Sequence, residues 1–233
     1  MREDAVVTLA VFRPAPVDDV DAVRARIEAH QTKPPPALAG FAQGAAPTDE
    51  VHLVAAPVDA SLPLDLPSLM AEAGEAAAPL ATARSAVFIR AVGDATRAEA
   101  RLRAAALAAD ALLAAGDGVV VDLGTRRAFD ATAWRARLTA ADWPADEVRL
   151  GAEQAADGTV TFFTRGMARF GQADLEEAGI APADARVRFD RFQTMFRRLR
   201  AHQLVSPGDA VEGVVLRECT RPPEAIEHQC VAL

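Results

Sequence analysis

The sequence holds a single lysine, Lys33, set in the run Lys33-Pro34-Pro35-Pro36. That run is biased to an extended, solvated conformation, a poor place for the desolvated amine of Schiff-base chemistry. No Gly-x-x-x-x-Gly-Lys run occurs either, so both pyridoxal-phosphate catalysis and P-loop nucleotide hydrolysis lack their lysine. Cysteine is nearly absent. Cys219 and Cys230 stand close to the C-terminus, which gives no disulfide framework and leaves a single bridge between them open. Tyrosine is missing altogether, and with arginine in place of lysine and abundant alanine this is the bias of a GC-rich bacterial coding sequence. No window approaches the roughly 18 consecutive apolar residues of a membrane helix. Met1-Arg2-Glu3-Asp4 runs straight into a strand-like segment with no signal-peptide core, so a cytoplasmic location is expected.

What remains is a chain of 233 residues, 51% apolar and 25% charged, enough to bury one large core or two small ones. Its formal charge of −8 repels nucleic acid and anionic membranes alike, and neither is expected as a partner. The basic concentration Arg186, Arg188, Arg191, Arg197, Arg198 and Arg200 borders an apolar helical stripe. Arginines so placed wrap the core edge rather than read phosphates.

The periodicity alternates strands and helices. Ala5–Phe12 is β-branched and apolar, and Asp18, Asp19 and Asp21 open a helix with Val20, Val23 and Ile27 on one face. A Pro- and Gly-rich loop over 31–50 precedes a short strand, Val51–Val54. Pro67 begins a helix expected to run to about Ala78, where Pro79 interrupts it. Ser85–Val92 is the clearest strand; a capping box, Thr96-Arg97-Ala98-Glu99, starts a helix ending at Gly116, and Gly118–Leu123 is a further strand. Ser85–Leu123 thus forms a strand-helix-strand unit, and Ala5–Val54 reads as a looser copy of it, an internal repeat. A short helix is expected over Ala131–Ala141. Asp157-Gly158 marks a hairpin between Val148–Gln154 and Thr159–Thr164. Asp184–His202 is amphipathic, with Phe189, Phe192, Met195, Phe196 and Leu199 in one arc. Pro207-Gly208-Asp209 is a turn before a last strand, Val211–Leu216. The fold class expected is α+β, with a mixed or largely antiparallel sheet built from βαβ-type units packed with helices. It is read as one domain with lobes at 1–84 and 85–233.

Candidate sites are few. Asp122 interrupts the apolar strand Val119-Val120-Val121-Asp122-Leu123 and precedes Gly124-Thr125-Arg126-Arg127, placing a carboxylate at a strand end beside guanidinium groups, where sites are commonly built. Two readings stay open: a binding or catalytic pair Asp122/Arg126, or a carboxylate that caps the turn and pairs with Arg126 structurally. Arg90 and Asp94 pose the same question on the neighbouring strand, with a surface charge and a helix N-terminal acid as their structural roles. Cys219, His228 and Cys230, with Glu224 and Glu227, offer zinc-type ligands without a Cys-x-x-Cys or His-x-x-x-His pair, so no metal is assigned. His30, His52, His202 and His228 are scattered, and no Gly-x-Ser-x-Gly, His-Glu-x-x-His or Gly-x-Gly-x-x-Gly occurs. No cofactor is expected, and catalytic residues stay unassigned.

Three stretches carry a family resemblance: Asp122-Leu123-Gly124-Thr125 with Trp134, then Thr164-Arg165-Gly166-Met167-Ala168-Arg169-Phe170-Gly171-Gln172-Ala173-Asp174-Leu175-Glu176, then Ser206-Pro207-Gly208-Asp209. Together they resemble a bacterial domain-of-unknown-function family, the one catalogued as number 4261, over about residues 85–215. The resemblance implies no catalytic residues; families of this general kind accompany toxin and secretion genes, which implies an immunity or adaptor role. Physically, the second stretch reads as a strand, a turn at Gly166 anchored by Met167 and Phe170, and a short acidic helix at Asp174-Leu175-Glu176. It is either a structural junction or a recognition loop exposing Arg165 and Arg169. The leading expectation is a non-enzymatic protein-interaction module with an acidic surface. The alternative is a small-molecule enzyme or ligand-binding protein with its site near Asp122 and Arg126.

Overall fold

The computed structural model describes residues 4–16, 19–59, 61–62, 64–140, 143, 147–200, 210–211, 214–215, 217–218 and 230–232, with side chains as far as residue 197. His202, the Pro207-Gly208-Asp209 turn, Cys219 and the His228 cluster lie outside the described residues. No helix among them is long and apolar enough to cross a membrane. The fold is α+β, and the chain divides into two compact units, Met1–Glu147 and Val148–Leu233.

The first unit opens with β1 (Asp4–Arg13), α1 (Val20–Thr32), α2 (Ala39–Ala42) and β2 (Val51–Pro57). It continues through α3 (Leu66–Glu72), α4 (Ala77–Ala81), β3 (Ser85–Asp94), α5 (Ala98–Leu113), β4 (Val119–Asp122), β5 (Arg127–Phe129) and α6 (Ala131–Leu138). Five strands form one sheet in the order β2-β3-β1-β4-β5, every neighbouring pair antiparallel. Because β1 lies antiparallel between β3 and β4, those two are parallel to each other and α5 connects them. By the same argument β1 and β2 are parallel around β3, with α1 between them in sequence. The two βαβ units expected from sequence are therefore both present, each split by a strand of the other, in the ferredoxin-like arrangement with β5 added at one edge. This interleaving corrects the lobe boundary at 84/85: a cut there would separate β1 and β2 from the β3 strand that pairs with both.

On one sheet face Val7, Leu9 and Val11 of β1 stand opposite Ala91, Ile89 and Val87 of β3, all buried. α5 packs against both strands and α1 against α5, with Leu102, Leu107 and Leu112 fully buried between them. Apolar side chains every second strand residue and every third or fourth helix residue generate this two-layer core. The other face is buried at Ala10, Phe12, Ala86 and Val121 and opens toward His52, Val54 and Arg90.

Two local expectations in this unit are corrected. The helix beginning at Leu66 stops at Glu72, passes through a 3-10 turn at Gly74–Ala76, and resumes as α4. Pro79 sits in the first turn of α4, where its missing N–H removes no helical bond, so it does not interrupt a helix. The capping box does not form. Asp94 accepts from the Thr96 N–H at 2.7 Å and starts a 3-10 turn, so Thr96 lies inside that turn. Glu99 pairs instead with Arg103 one turn further on, at 2.7 Å.

The second unit contains β6 (Arg149–Gln154), β7 (Val160–Arg165), β8 (Asp174–Ile180), α7 (Ala185–Arg200), a two-stranded pair β9 (Ala210–Val211) and β10 (Val214–Val215), then β11 (Arg217–Glu218) and β12 (Cys230–Ala232). Its main sheet runs β11-β12-β8-β7-β6, antiparallel except for β12 beside β8. Phe192, Met195 and Phe196 of α7 are buried on Phe162, Met167 and Leu175, with Phe189 packed against them. Phe189, Phe192, Met195 and Phe196 of the arc read from sequence face that core. Asp174-Leu175-Glu176 is strand, not acidic helix, because ladders to β7 and β12 flank it, and two rows of backbone hydrogen bonds override local propensity. The strand expected over Val211–Leu216 is instead the antiparallel pair β9 and β10.

Candidate functional site

Asp122 ends β4 directly opposite Leu9, on the helix-covered sheet face, and is 0% exposed. Its Oδ1 accepts from the Thr125 N–H at 3.2 Å, closing the turn into β5. Its Oδ2 accepts from Arg137 Nη2 on α6 at 3.3 Å, and the same Nη2 reaches Glu147 Oε2 at 2.8 Å. The Arg137 guanidinium lies over the rings of Phe129, 4.7 Å from its centroid, and Trp134, at 5.6 Å. The Trp134 indole N–H donates to Ala106 O of α5, fixing α6 against that helix. Two carboxylates thus share one guanidinium in a buried, ring-lined interior. Such a cluster holds elements together, and its charges face no solvent through which a substrate would arrive.

Arg126 is the one non-glycine residue at positive φ among the described residues, at 55°. Its guanidinium reaches Glu72 at 3.3 Å and donates to Ser68 Oγ, both on α3. Arg90 is exposed on the open sheet face, opposite Thr8 on one side and His52 on the other.

Two buried acids carry chemistry that the sequence reading passed over. Asp110 on α5 is fully buried and accepts from His30 Nε2 of α1 at 2.9 Å and from Arg135 Nε of α6 at 2.8 Å. Burial opposes its charge, but the bonds from His30 and Arg135 outweigh that and hold the carboxyl below the usual range. A signal was available, since Asp110 falls three residues after Leu107 and three before Leu113, inside the apolar stripe.

Asp174 stands at the start of β8 and is buried. It accepts from the Met167 N–H at 3.1 Å, the Gly166 N–H at 3.4 Å and the Thr164 hydroxyl at 3.0 Å. Desolvation pushes its pKa up to about 6 against those bonds and the nearby Arg169 charge. The Asp174 carboxylate therefore folds the segment 166–171 back upon itself. Gly166 and Gly171, at φ 104° and 69°, take the left-handed turns at its two ends. Arg169, 2% exposed, is among the largest buried side chains, which corrects the recognition-loop reading for that residue. Arg165 stacks on Phe163, 4.6 Å from its centroid, and reaches Glu153 at 3.4 Å. The structure brings Arg169 to Asp174 in the second unit, and Asp122 to Arg137 and Glu147 in the first.

A shallow depression of about 430 Å³ lies at the start of α5, lined by Gly40, Gly44, Thr96, Arg97, Glu99 and Arg103. Its cations are matched locally, Arg97 by Glu50 at 2.7 Å and Arg103 by Glu99, and Arg103 stacks on Phe41 and Trp143. No group of three or more His, Cys, Asp or Glu side chains suited to a metal occurs among the described residues. Compared with protein-family models, curated proteins and solved structures, the chain matches none.

Proposed function

We propose that the chain is a non-enzymatic, cytoplasmic protein-interaction module of the immunity or adaptor type, which meets a basic protein partner through its acidic surface. The observation that carries this reading is the distribution of its carboxylates. Asp110, Asp122 and Asp174, the acids best placed to be tuned for chemistry, are buried among partners of their own. Asp21, Glu28, Asp49, Asp59 and Asp117 are exposed in a chain of charge −8. Charge of one sign on a surface speeds association with an oppositely charged partner and suppresses wrong ones. The immunity-type detail rests on the resemblance to family 4261 through the residues quoted above. Affinity capture of the tagged chain from its host lysate, with the wash salt raised stepwise, tests the proposal. A single basic protein at near-stoichiometric amount, released as salt rises, is expected. Recovery of no protein above background, or of an acidic partner indifferent to salt, would overturn it.

One observation favours a second reading, a ligand site at the β4–β5 turn: Arg126 holds a left-handed backbone there, and such strain collects at functional sites. Asp122→Ala separates the two. As a structural group its loss leaves Arg137 underpaired and costs about 3 kcal/mol in urea unfolding. Ligand binding abolished with unfolding free energy unchanged would instead establish a site.

A further inference from the structure

Strand β2 ends the first unit's sheet, with β3 on one side and no strand on the other among the described residues. Long edge strands are templates for further pairing, and proteins blunt them with charge, proline or short length. The seven residues of β2, Val51-His52-Leu53-Val54-Ala55-Ala56-Pro57, include no Asp, Glu, Lys or Arg, and the one proline closes the strand. At the opposite edge β5 is three residues long and begins with Arg127.

The side chains tell the same story across the strands. Register partners Ala128, Val121, Ala10, Phe88 and Val54 form an apolar row over all five strands on one face. The row is buried at Val121 and Ala10, half-buried at Phe88, and ends at Val54, which is 60% exposed. Val54 is the middle residue of β2.

We infer that β2 is a self-association edge: two copies of this chain pair their β2 strands antiparallel about a two-fold axis at Val54, joining two five-stranded sheets into one. The register sets Val54 against Val54, Leu53 against Ala55, His52 against Ala56 and Val51 against Pro57. No ionised pair of like sign meets inside the ladder, and Pro57, which cannot donate, falls at its end. Valines directly opposite on one face stand about 5 Å apart, so the apolar row continues into the second copy. Charge selects the place as well. Two chains of −8 repel, and an uncharged strand lets them touch without opposing carboxylates. Exposed Asp49 and Asp59 flank β2, and just beyond the ladder Asp49 of each copy falls opposite Asp59 of the other, so association strengthens as salt screens them. A seven-residue strand pair is small beside the roughly 1,600 Å² of a standard interface, which makes the dimer reversible and concentration-dependent.

Sedimentation analysis of the full chain from about 1 μM to 1 mM at two salt concentrations, paired with hydrogen exchange, tests this inference. The expected result is a shift toward twice the 24.6 kDa chain mass, favoured at the higher salt, with β2 amides slowing as the dimer fills. Val54→Lys sets two ammonium groups on the axis while altering an exposed side chain, and is expected to weaken the dimer about tenfold or more with an unchanged circular dichroism spectrum. Strand pairing by a different protein would appear as β2 protection only when that protein is added, and would overturn the inference. So would a monomer throughout, or a dimer that leaves β2 amides exchanging freely or ignores Val54→Lys. The inference stands apart from the basic-partner reading, and either fails without the other.

Discussion

Asp174 ionises in surroundings that oppose its charge. Its folded pKa of about 6 lies above the roughly 3.9 of an unfolded chain. The stability it contributes is therefore fully present below about pH 4 and lost as pH rises through 6, a change of about 3 kcal/mol. Asp174→Asn keeps an acceptor for the Met167 N–H but does not titrate. Across urea unfolding from pH 4 to 8, the wild type is expected to lose about that much stability relative to the variant, with the midpoint between 4 and 6. A difference independent of pH would mean that the carboxyl ionises as it does in water. Asp110 has the opposite sign: its depressed pKa contributes stability above the unfolded value that is lost on acidification. Sequence pattern exposed Asp122 because an acid breaking a run of valines is conspicuous. Its partner Arg137 was not legible, because the docking of α6 on α5 brings that guanidinium to the end of β4, and docking is a tertiary fact. Arg126, nearer in sequence, reaches Ser68 and Glu72 on α3.

Among the elements, those with strong periodicity follow from the sequence, and those whose form depends on a neighbour do not. The α7 arc and the strands β1 and β3 follow from their own residues. β8 does not, since an Asp-Leu-Glu start resembles a helix terminus until the ladders on both sides are known. β6 and β7 show how closely paired strands constrain each other. Gly151 stands opposite Phe163, and a methyl group on Gly151 would fall inside the van der Waals surface of that ring. Gly151→Ala is expected to destabilise the second unit by about 1–3 kcal/mol through overpacking. Adding Phe163→Leu should recover part of that cost, so a double-mutant cycle in thermal unfolding reads a coupling above about 0.5 kcal/mol. Additive effects would place the strain elsewhere.

At the scale of the whole molecule, the alternation of strand and helix periodicity points to an α+β chain but not to where it divides. The division at Glu147 is invisible in composition because no Gly- or Ser-rich run precedes it in the sequence, while the interleaved strands forbid the break at 84/85 that the sequence suggests. All five strands of the first sheet, with α1, α5 and α6, lie before residue 147, and both carboxylates that meet Arg137, Asp122 and Glu147, belong to the same unit. A fragment of residues 1–150 is therefore expected to fold alone, giving dispersed amide resonances and a cooperative thermal transition. A fragment that stays collapsed without one would show that the first sheet requires the second unit. The split topology also governs the order of events at the ribosome. β1 is made first, yet it occupies the middle of its sheet, and both strands that flank it, β3 and β4, come after residue 84. At about 5–20 residues per second, translation leaves this apolar strand without either neighbour for roughly 4–16 s. During that interval the nascent chain presents an apolar segment that its own later sequence has yet to cover, the kind of transiently exposed surface that chaperones exist to shield.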